Sequence, residues 1–429
     1  MLALGIDIGT SGVRTAVIDR GGALVSSARV AMPPPAVIAG RSQQDPAVWW
    51  DAVDACLSAQ AAALRQAGHA ADAVTAIAVD GTSGTILLAD ADLRPVGPAL
   101  MYDCAGLALE AAVIDRHAPA GTIARGPGST VARLMALQAG EGARRARFAL
   151  HQADWIAARL TGCGGVSDEN NALKLGWNLD AAAWPDWLDA CGIDRRLLPA
   201  VRRPGDNIAP LADDLTRRFG FGRGARVVAG TTDSIAAFLA AGADRVGDGV
   251  TSLGTTLVIK LLSERRIDDP ARGIYSHRLR GLWLAGGASN SGGGALLAHF
   301  DAAELPALSA RIDPDRPTGL DYYPLARPGE RFPITDPDMA PHVTPRPADD
   351  AVFLQGLLEG IAAVEARGYA ALAALGGPPL RRVLTAGGGA ANPAWTRIRA
   401  RRLAVPVEAA RHVDAAVGAA RLAAGLVPG

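Results

Sequence analysis

One aspartate sits where an apolar run gives way to a helix-like one. Val227-Val228-Ala229 is β-prone, Gly230-Thr231-Thr232 reads as a tight turn, Asp233 follows, and Ser234-Ile235-Ala236-Ala237-Phe238-Leu239 reads as helix. A carboxylate held at a helix N-terminus beside a cleft can accept a proton from a substrate hydroxyl. Two further Gly-Thr turns stand at Asp7-Ile8-Gly9-Thr10-Ser11-Gly12 and Leu253-Gly254-Thr255-Thr256. Such turns present backbone N–H groups and hydroxyls to one point, a nest suited to phosphate. Asp7 is placed to hold Mg²⁺ through water. Alone, each turn is equally an ordinary glycine hairpin; the pair, each between predicted strands, is far more specific. With Asp233 they describe a phosphoryl-transfer site that has no P-loop, because no GxxxxGK[ST] segment is present. Charge on the transferring group is then met by Mg²⁺, amides and hydroxyls.

Three more segments could bind ligand. Gly387-Gly388-Gly389 removes side chains where a flat ring must approach backbone, and Asn392 and Trp395 follow it. An adenine could lie over those glycines with Asn392 bonding to it; equally, Asn392 before Pro393 is a helix N-cap. Asp80-Gly81-Thr82-Ser83-Gly84 lies at a strand end, where ligand-binding loops gather, and Ser83 could donate to a sugar hydroxyl. The other reading is a tight turn in which Asp80 accepts from local amides. Asp103, near the end of another predicted strand, could bind hydroxyls or be an exposed loop acid. The seven histidines make no HExxH and there is no GxSxG, so neither a metal–histidine centre nor a serine elbow is expected.

The elements that must carry these residues follow from periodicity. Leu2–Ile8 and Val13–Asp19 alternate around the first turn as an antiparallel meander, with Ala23-Leu24-Val25 next. Asp45-Pro46 opens a long helix through Trp49, Val53 and Leu57. Val74–Val79 is a buried strand, Ile86–Asp90 another, and Pro95–Asp103 brings in a further edge. Residues 107–160 read as mainly helical, punctuated by Gly126-Pro127-Gly128, and 161–225 as loop-rich. Strand, Gly-Thr turn and strand then recur around residue 254, which suggests two related domains. Residues 351–375 read as a long helix and Val383–Ala386 as a strand before the glycines.

The chain has 429 residues, enough for two domains. Its formal net charge is zero, which gives no electrostatic reason to expect nucleic acid or an anionic membrane. The only lysines are Lys174 and Lys260, so few remain for phosphate. Cys56, Cys104, Cys163 and Cys191 are scattered and are expected as reduced thiols. No apolar run approaches the ~20 residues of a membrane span, and with no signal-like N-terminus a cytoplasmic protein is expected.

In their order these residues resemble the FGGY carbohydrate kinases of the actin/hexokinase-like ATPase superfamily. Asp7-Ile8-Gly9-Thr10-Ser11 is similar to the family's first phosphate motif, Gly230-Thr231-Thr232-Asp233 to its catalytic-base segment, and Gly254-Thr255-Thr256 to its second phosphate motif. Ala386–Asn392 is similar to its adenosine motif, and His151–Trp155 with Leu160-Thr161-Gly162 to the segment before the substrate region. The resemblance implies an α/β, ribonuclease H-like two-domain ATPase fold with a nucleotide cleft between domains. Residues 1–240 would form the sugar-side domain, completed by a helix in 413–429, and 241–412 the nucleotide-side domain. It implies ATP and Mg²⁺ as cofactors and a sugar as substrate, with no nucleic-acid or membrane partner, in a monomer or homodimer. By residue, it implies Asp233 as base, and Asp7 and Asp233 on the metal. Gly9, Thr10, Ser11, Gly254, Thr255 and Thr256 would hold phosphates, Gly387, Gly388, Gly389, Asn392 and Trp395 adenosine, and Ser83, Gly84 and Asp103 sugar.

Asp80–Thr85 and Asp168–Gly176 look like the short D-ribulose kinase branch, while the arginine that many relatives carry after the acid at 103 is absent, since Cys104-Ala105-Gly106 stands there. The family's lysine near 133 is Arg133. D-Ribulose phosphorylation at O5 is therefore expected, with D-xylulose or another pentulose or polyol as the alternative, and an actin- or chaperone-like ATPase as the distant one.

Overall fold

A computed structural model describes residues 1–126 and 128–428. Pro127, at the centre of the expected Gly-Pro-Gly punctuation, and Gly429 lie outside the described residues. The chain divides into two compact units, one of Met1–Ala240 with Asp414–Val427, the other of Ala241–Val413 with the last residues.

The first unit is built on a six-stranded sheet in the order Asn207–Pro210, Arg226–Thr232, Val74–Gly81, Leu2–Ile8, Gly12–Ile18, Leu24–Ala31. Leu2–Ile8 and Gly12–Ile18 form the expected hairpin, and Leu2–Ile8 runs parallel to Val74–Gly81. Side chains alternate across the sheet. Leu2, Leu4, Ile6 and Ile8 enter a core with Trp49, Val53 and Leu57 of helix Pro46–Gln66 and Trp155 and Ile156 of helix Gln152–Thr161. Gly5 faces the other way, onto helix Ala415–Ala423, so closely that a Cβ would lie 1.9 Å from Ala416 O. Gly418 of that helix meets helix Asp233–Ala241, where a Cβ would lie 1.7 Å from Ala236 O. A smaller five-stranded sheet (Ala36–Ile38, Arg41–Gln44, Ala99–Leu100, Ile86–Ala89, Phe148–His151) packs with helices Ala108–His117 and Thr130–Gln138.

The second unit is built on another six-stranded sheet, which shares with the first a hairpin whose first strand runs parallel to a later one but differs in the order of its outer strands. Its order is Tyr275–Leu279, Leu282–Ser289, Leu257–Ser263, Asp248–Leu253, Arg382–Ala386, Val407–Ala409. A hairpin of Asp248–Leu253 and Leu257–Ser263 again has its first strand parallel to a later one, Arg382–Ala386. Helices Asp350–Ala374 and Pro393–Leu403 supply Leu354, Leu357, Leu358, Trp395 and Ile398 to the core.

Two expectations need correction. Gly230-Thr231-Thr232 is strand rather than turn: Arg226–Thr232 runs straight into the helix at Asp233. Its pairing with Val74–Gly81 shifts register between Val228 and Thr231, and Gly230 lies against its neighbour so that a Cβ would meet Val79 O at 1.8 Å. As expected, residues 107–160 are mainly helical, with one added strand, Phe148–His151, and 161–225 is rich in loops between short elements such as helix Trp187–Ala190. The edge expected over Pro95–Asp103 is reduced to Ala99–Leu100.

Candidate active site

Four aspartates gather in the first unit. Asp7 and Asp80 are paired in the parallel ladder. Asp7 lies on the Gly5 side of its strand, two residues on, and therefore toward the helix that Asp414 caps. Asp233 opens its helix at the end of the adjoining strand and accepts from Ser234 N at 2.6 Å. Asp7 is 4% exposed and Asp80 fully buried, and neither Asp80 oxygen accepts a hydrogen bond from a donor group. Burial holds the Asp80 carboxyl well above the usual range, reinforced by the charges of Asp7, Asp233 and Asp414. A protonated Asp80 has an O–H to give, and Asp7 is the acceptor beside it. Burial also raises Asp7, against that hydrogen bond and the Arg14 guanidinium 3.2 Å away. The reading of Asp80 as a turn residue bonded to local amides is thus corrected: it is a strand residue facing other carboxylates.

The Asp80 oxygens, which meet no donor once Asp80 ionises, suit a cation that replaces its proton beside Asp7. Among the described residues no three His, Cys, Asp or Glu side chains are arranged to hold one. A divalent ion here would rest on one or two carboxylates, with water and phosphate oxygens completing its shell, which is the habit of Mg²⁺.

Gly9–Ser11 lies beside these acids. The Gly9 N–H donates to Gly12 O at 3.0 Å, closing the hairpin, and Ser11 O accepts from Met32 N. Thr10 is half-buried and Ser11 exposed. The Gly9 amide is therefore withdrawn from the donors expected to meet phosphate, while both hydroxyl residues stay at the surface.

Ser83, Gly84 and Asp103 are brought together by a residue that sequence reasoning left without a role. Arg133 is 2% exposed; it donates from Nη1 to Gly84 O at 3.1 Å and from Nη2 to Tyr102 O and Gly128 O. Burial lowers its pKa to about 10. A hydroxyl chain ties the same loops: Tyr102 N donates to Thr85 Oγ1, which meets Thr82 Oγ1 at 2.7 Å, and Thr82 donates to Gln152 Oε1. Ser83 is half-buried and Asp103 exposed, so both can reach a small polar ligand. The signal in the sequence was Arg133 itself, a charge inside an otherwise apolar helical pattern (Val131, Leu134, Met135).

The second unit contains a pocket of about 640 Å³, within the range of small-molecule sites. Its rim is backbone: Gly254 and Thr255 from the hairpin turn, Gly388, Gly389 and Asn392 from the turn after Arg382–Ala386. Its walls are apolar, with Leu296, Leu305, Leu354, Leu358 and the ring of Trp395. Thr255 is exposed and Thr256 half-buried. The Gly254 N–H bonds within its own turn, to Thr256 O at 3.2 Å, as Gly9 does. Gly387 has φ +84, and a Cβ there would lie 2.6 Å from Leu253 O; a Cβ on Gly389 would strike Leu253 and Trp395, whereas at Gly388 it would meet nothing. Of these three glycines, only Gly388 opens freely onto the pocket.

Asn392 is the helix N-cap: Oδ1 accepts from Trp395 N at 3.1 Å and Nδ2 donates to Ser309 Oγ at 2.9 Å. One lone pair and one N–H remain for a ligand. Trp395 is 3% exposed and serves the core as well as the pocket. Gly292-Gly293-Gly294, which the sequence reading passed over, packs under the hairpin turn, with Gly293 N donating to Gly254 O and Gly294 N to Thr255 O.

Comparison with known proteins agrees with this arrangement. Residues 2–240 match the N-terminal domain of the FGGY family of carbohydrate kinases and residues 249–426 its C-terminal domain. A xylulose kinase of Streptomyces coelicolor is 30% identical over all of this chain and 88% of its own length. One from Escherichia coli K12 is 27% identical over 98% of this chain and 89% of its own. The solved structure of a xyloylose kinase from Brucella ovis superposes with a TM-score of 0.88 at 26% identity, covering 99% of this chain and 90% of that one. The paired β-sheet units, the acids at the strand ends and the full-length matches lead to one statement: the chain belongs to the FGGY family of carbohydrate kinases, is a carbohydrate kinase, and has that family's two-domain α/β fold.

Proposed function

We propose that the enzyme transfers the γ-phosphoryl group of ATP to the terminal hydroxyl of a ketopentose, with D-xylulose the first candidate. The observation that carries the reading is Asp233, a half-buried carboxylate that opens a helix beside Asp7 and Asp80, in a chain matched over nearly its whole length by relatives named xylulose kinases. The expectation of D-ribulose finds no support among those relatives. It remains as a second reading on Asp80–Thr85 and on Cys104-Ala105, where the family resemblance implies an arginine.

In this mechanism Asp233 orients the sugar hydroxyl and takes its proton as the oxygen bonds to the γ-phosphorus. The bond from phosphorus to the β–γ bridging oxygen breaks, and ADP leaves. Thr10, Ser11 and Thr255 present hydroxyls, and amides of the two turns present N–H groups, to phosphate oxygens. The apolar pocket over Gly388 and Gly389 seats adenosine. Asp7 and Asp233 are the candidates to hold Mg²⁺, which when bound neutralises charge on the phosphates. Ser83 and Asp103 face the sugar, and Arg133 fixes the loops that carry them.

The test is coupled ADP release with MgATP against D-xylulose, D-ribulose, L-ribulose, L-xylulose, glycerol and no sugar. Highest kcat/KM on D-xylulose is expected. Preference for D-ribulose moves the sugar assignment to the second reading, and equal release with and without every sugar overturns the kinase mechanism.

A further inference from the structure

Beneath the pocket of the second unit lies a buried ion pair. Glu365, on helix Asp350–Ala374, and Arg399, on helix Pro393–Leu403, have side chains 0% and 1% exposed. The guanidinium grips the carboxylate with two bonds, Nε to Oε2 and Nη2 to Oε1, both 2.7 Å. Its Nη1 donates to Thr385 Oγ1 at 2.7 Å. Thr251 Oγ1 donates to Glu365 Oε1 at 2.5 Å and lies 3.0 Å from the Tyr369 hydroxyl.

The position of the two threonines gives the pair its meaning. Thr251 and Thr385 are direct partners in the parallel ladder. Thr251 stands two residues before Leu253 and its Gly254 turn; Thr385 stands two residues before Gly387. Those turns touch, since a Cβ on Gly387 would lie 2.6 Å from Leu253 O, and both border the pocket. Arg399 rides on the helix whose N-cap, Asn392, is a third part of the same rim. One two-pronged ion pair therefore holds two strand ends and one helix that together frame the pocket.

Stability alone is a weak reason for this chemistry. A buried ion pair often contributes no more than well-packed apolar side chains of similar volume, whereas the planar fork of arginine fixes direction as well as distance. We propose that Glu365 and Arg399 are positioning residues for the nucleotide: they set the spacing of the Gly254 and Gly387–Gly389 turns and act on adenine-nucleotide affinity. The inference rests on the reading of that pocket as the nucleotide seat.

The test compares wild type, the double variant Glu365→Leu/Arg399→Met and Thr385→Val, by calorimetric titration with MgADP and by thermal melting. A structural pair replaced by apolar side chains would leave binding intact wherever the fold survives. The expected result is a double variant that melts near wild type yet binds MgADP at least about tenfold more weakly, with the KM for ATP raised far more than kcat is lowered. Thr385→Val, which removes only the third anchor of Arg399, is expected to weaken MgADP by about threefold. A folded double variant that binds as wild type does overturns the proposal. If the double variant fails to fold, unchanged binding by Thr385→Val overturns it and weakened binding supports it. Wild type that binds no MgADP overturns the reading of the pocket and the proposal with it, so the two failures are told apart by the wild-type titration.

Discussion

At the scale of single residues the site is governed by burial acting on charge. Asp233 has one oxygen engaged by Ser234 N and stands half-buried. Asp233→Ala is expected to lower kcat by about 10²–10⁴-fold, the usual worth of a positioned base, with MgADP still bound in a calorimetric titration; near-normal kcat would remove it from the mechanism. Asp168 shows the same physics away from the site. It caps a helix through bonds from Asn170 N and Asn171 N and from the Asn171 amide, yet burial, with the nearby charge of Asp154, raises its pKa to about 7.

An acid raised in the folded state favours folding most fully below its unfolded pKa, and that contribution is lost as pH rises through the folded value. From Asp168, stability should therefore fall between about pH 4 and 7 and then level off. Asp168→Asn, still a good cap, should flatten that slope in urea melts; an unchanged slope would place the titration elsewhere. Asp7, Asp233 and the turn hydroxyls were legible in the sequence because they stand next to glycines in short motifs. Asp80 was misread because its environment comes from pairing with a strand about 70 residues away, which no local pattern records.

At the scale of elements, glycines decide how closely backbones approach, and their costs differ by place. Gly418 lies in a helix, where alanine is intrinsically better by about 1 kcal/mol, but a Cβ would sit 1.7 Å from Ala236 O. Backbone cannot swing aside as a side chain can, so Gly418→Ala should be destabilising by at least about 1–3 kcal/mol, read as a fall in the urea midpoint. Gly388→Ala meets nothing within 4 Å. It should leave stability within about 0.5 kcal/mol and raise the KM for ATP, because its methyl group enters the pocket. Melts showing the reverse order would contradict the packing described. The two hairpins were legible because short β-prone apolar runs flank each Gly-Thr turn. Phe148–His151 was not: it has four residues and passes directly into helix Gln152–Thr161 with no glycine or proline between them. The pieces within 161–225 are likewise too short for periodicity to show.

At the scale of the whole molecule, two sheets that share a hairpin paired in parallel with a later strand carry different chemistries, acids and polar loops in the first unit and a glycine-rimmed apolar pocket in the second. The order of motifs along the chain made the family legible. The sugar was not, because epimers differ by one hydroxyl and the loops proposed to meet it are set by Arg133, Thr82, Thr85 and Gln152 acting at a distance in sequence. Nucleotide bound only by the folded protein should raise the melting temperature, by the equivalent of about 2.7 kcal/mol at a hundredfold excess over Kd; no shift with MgADP would contradict the pocket's assignment. The return of Asp414–Val427 to the first unit bears on how the protein is made. The face of the first sheet around Gly5 is covered by helix Ala415–Ala423, and Asp414 adds its charge to the acids there. During synthesis the amino-terminal sheet emerges early, but it must wait, one face uncovered, until the whole second unit has left the ribosome. The acid cluster is completed only by residues translated after the second unit, so a chain cut short at residue 413 would lack part of its first domain rather than its second.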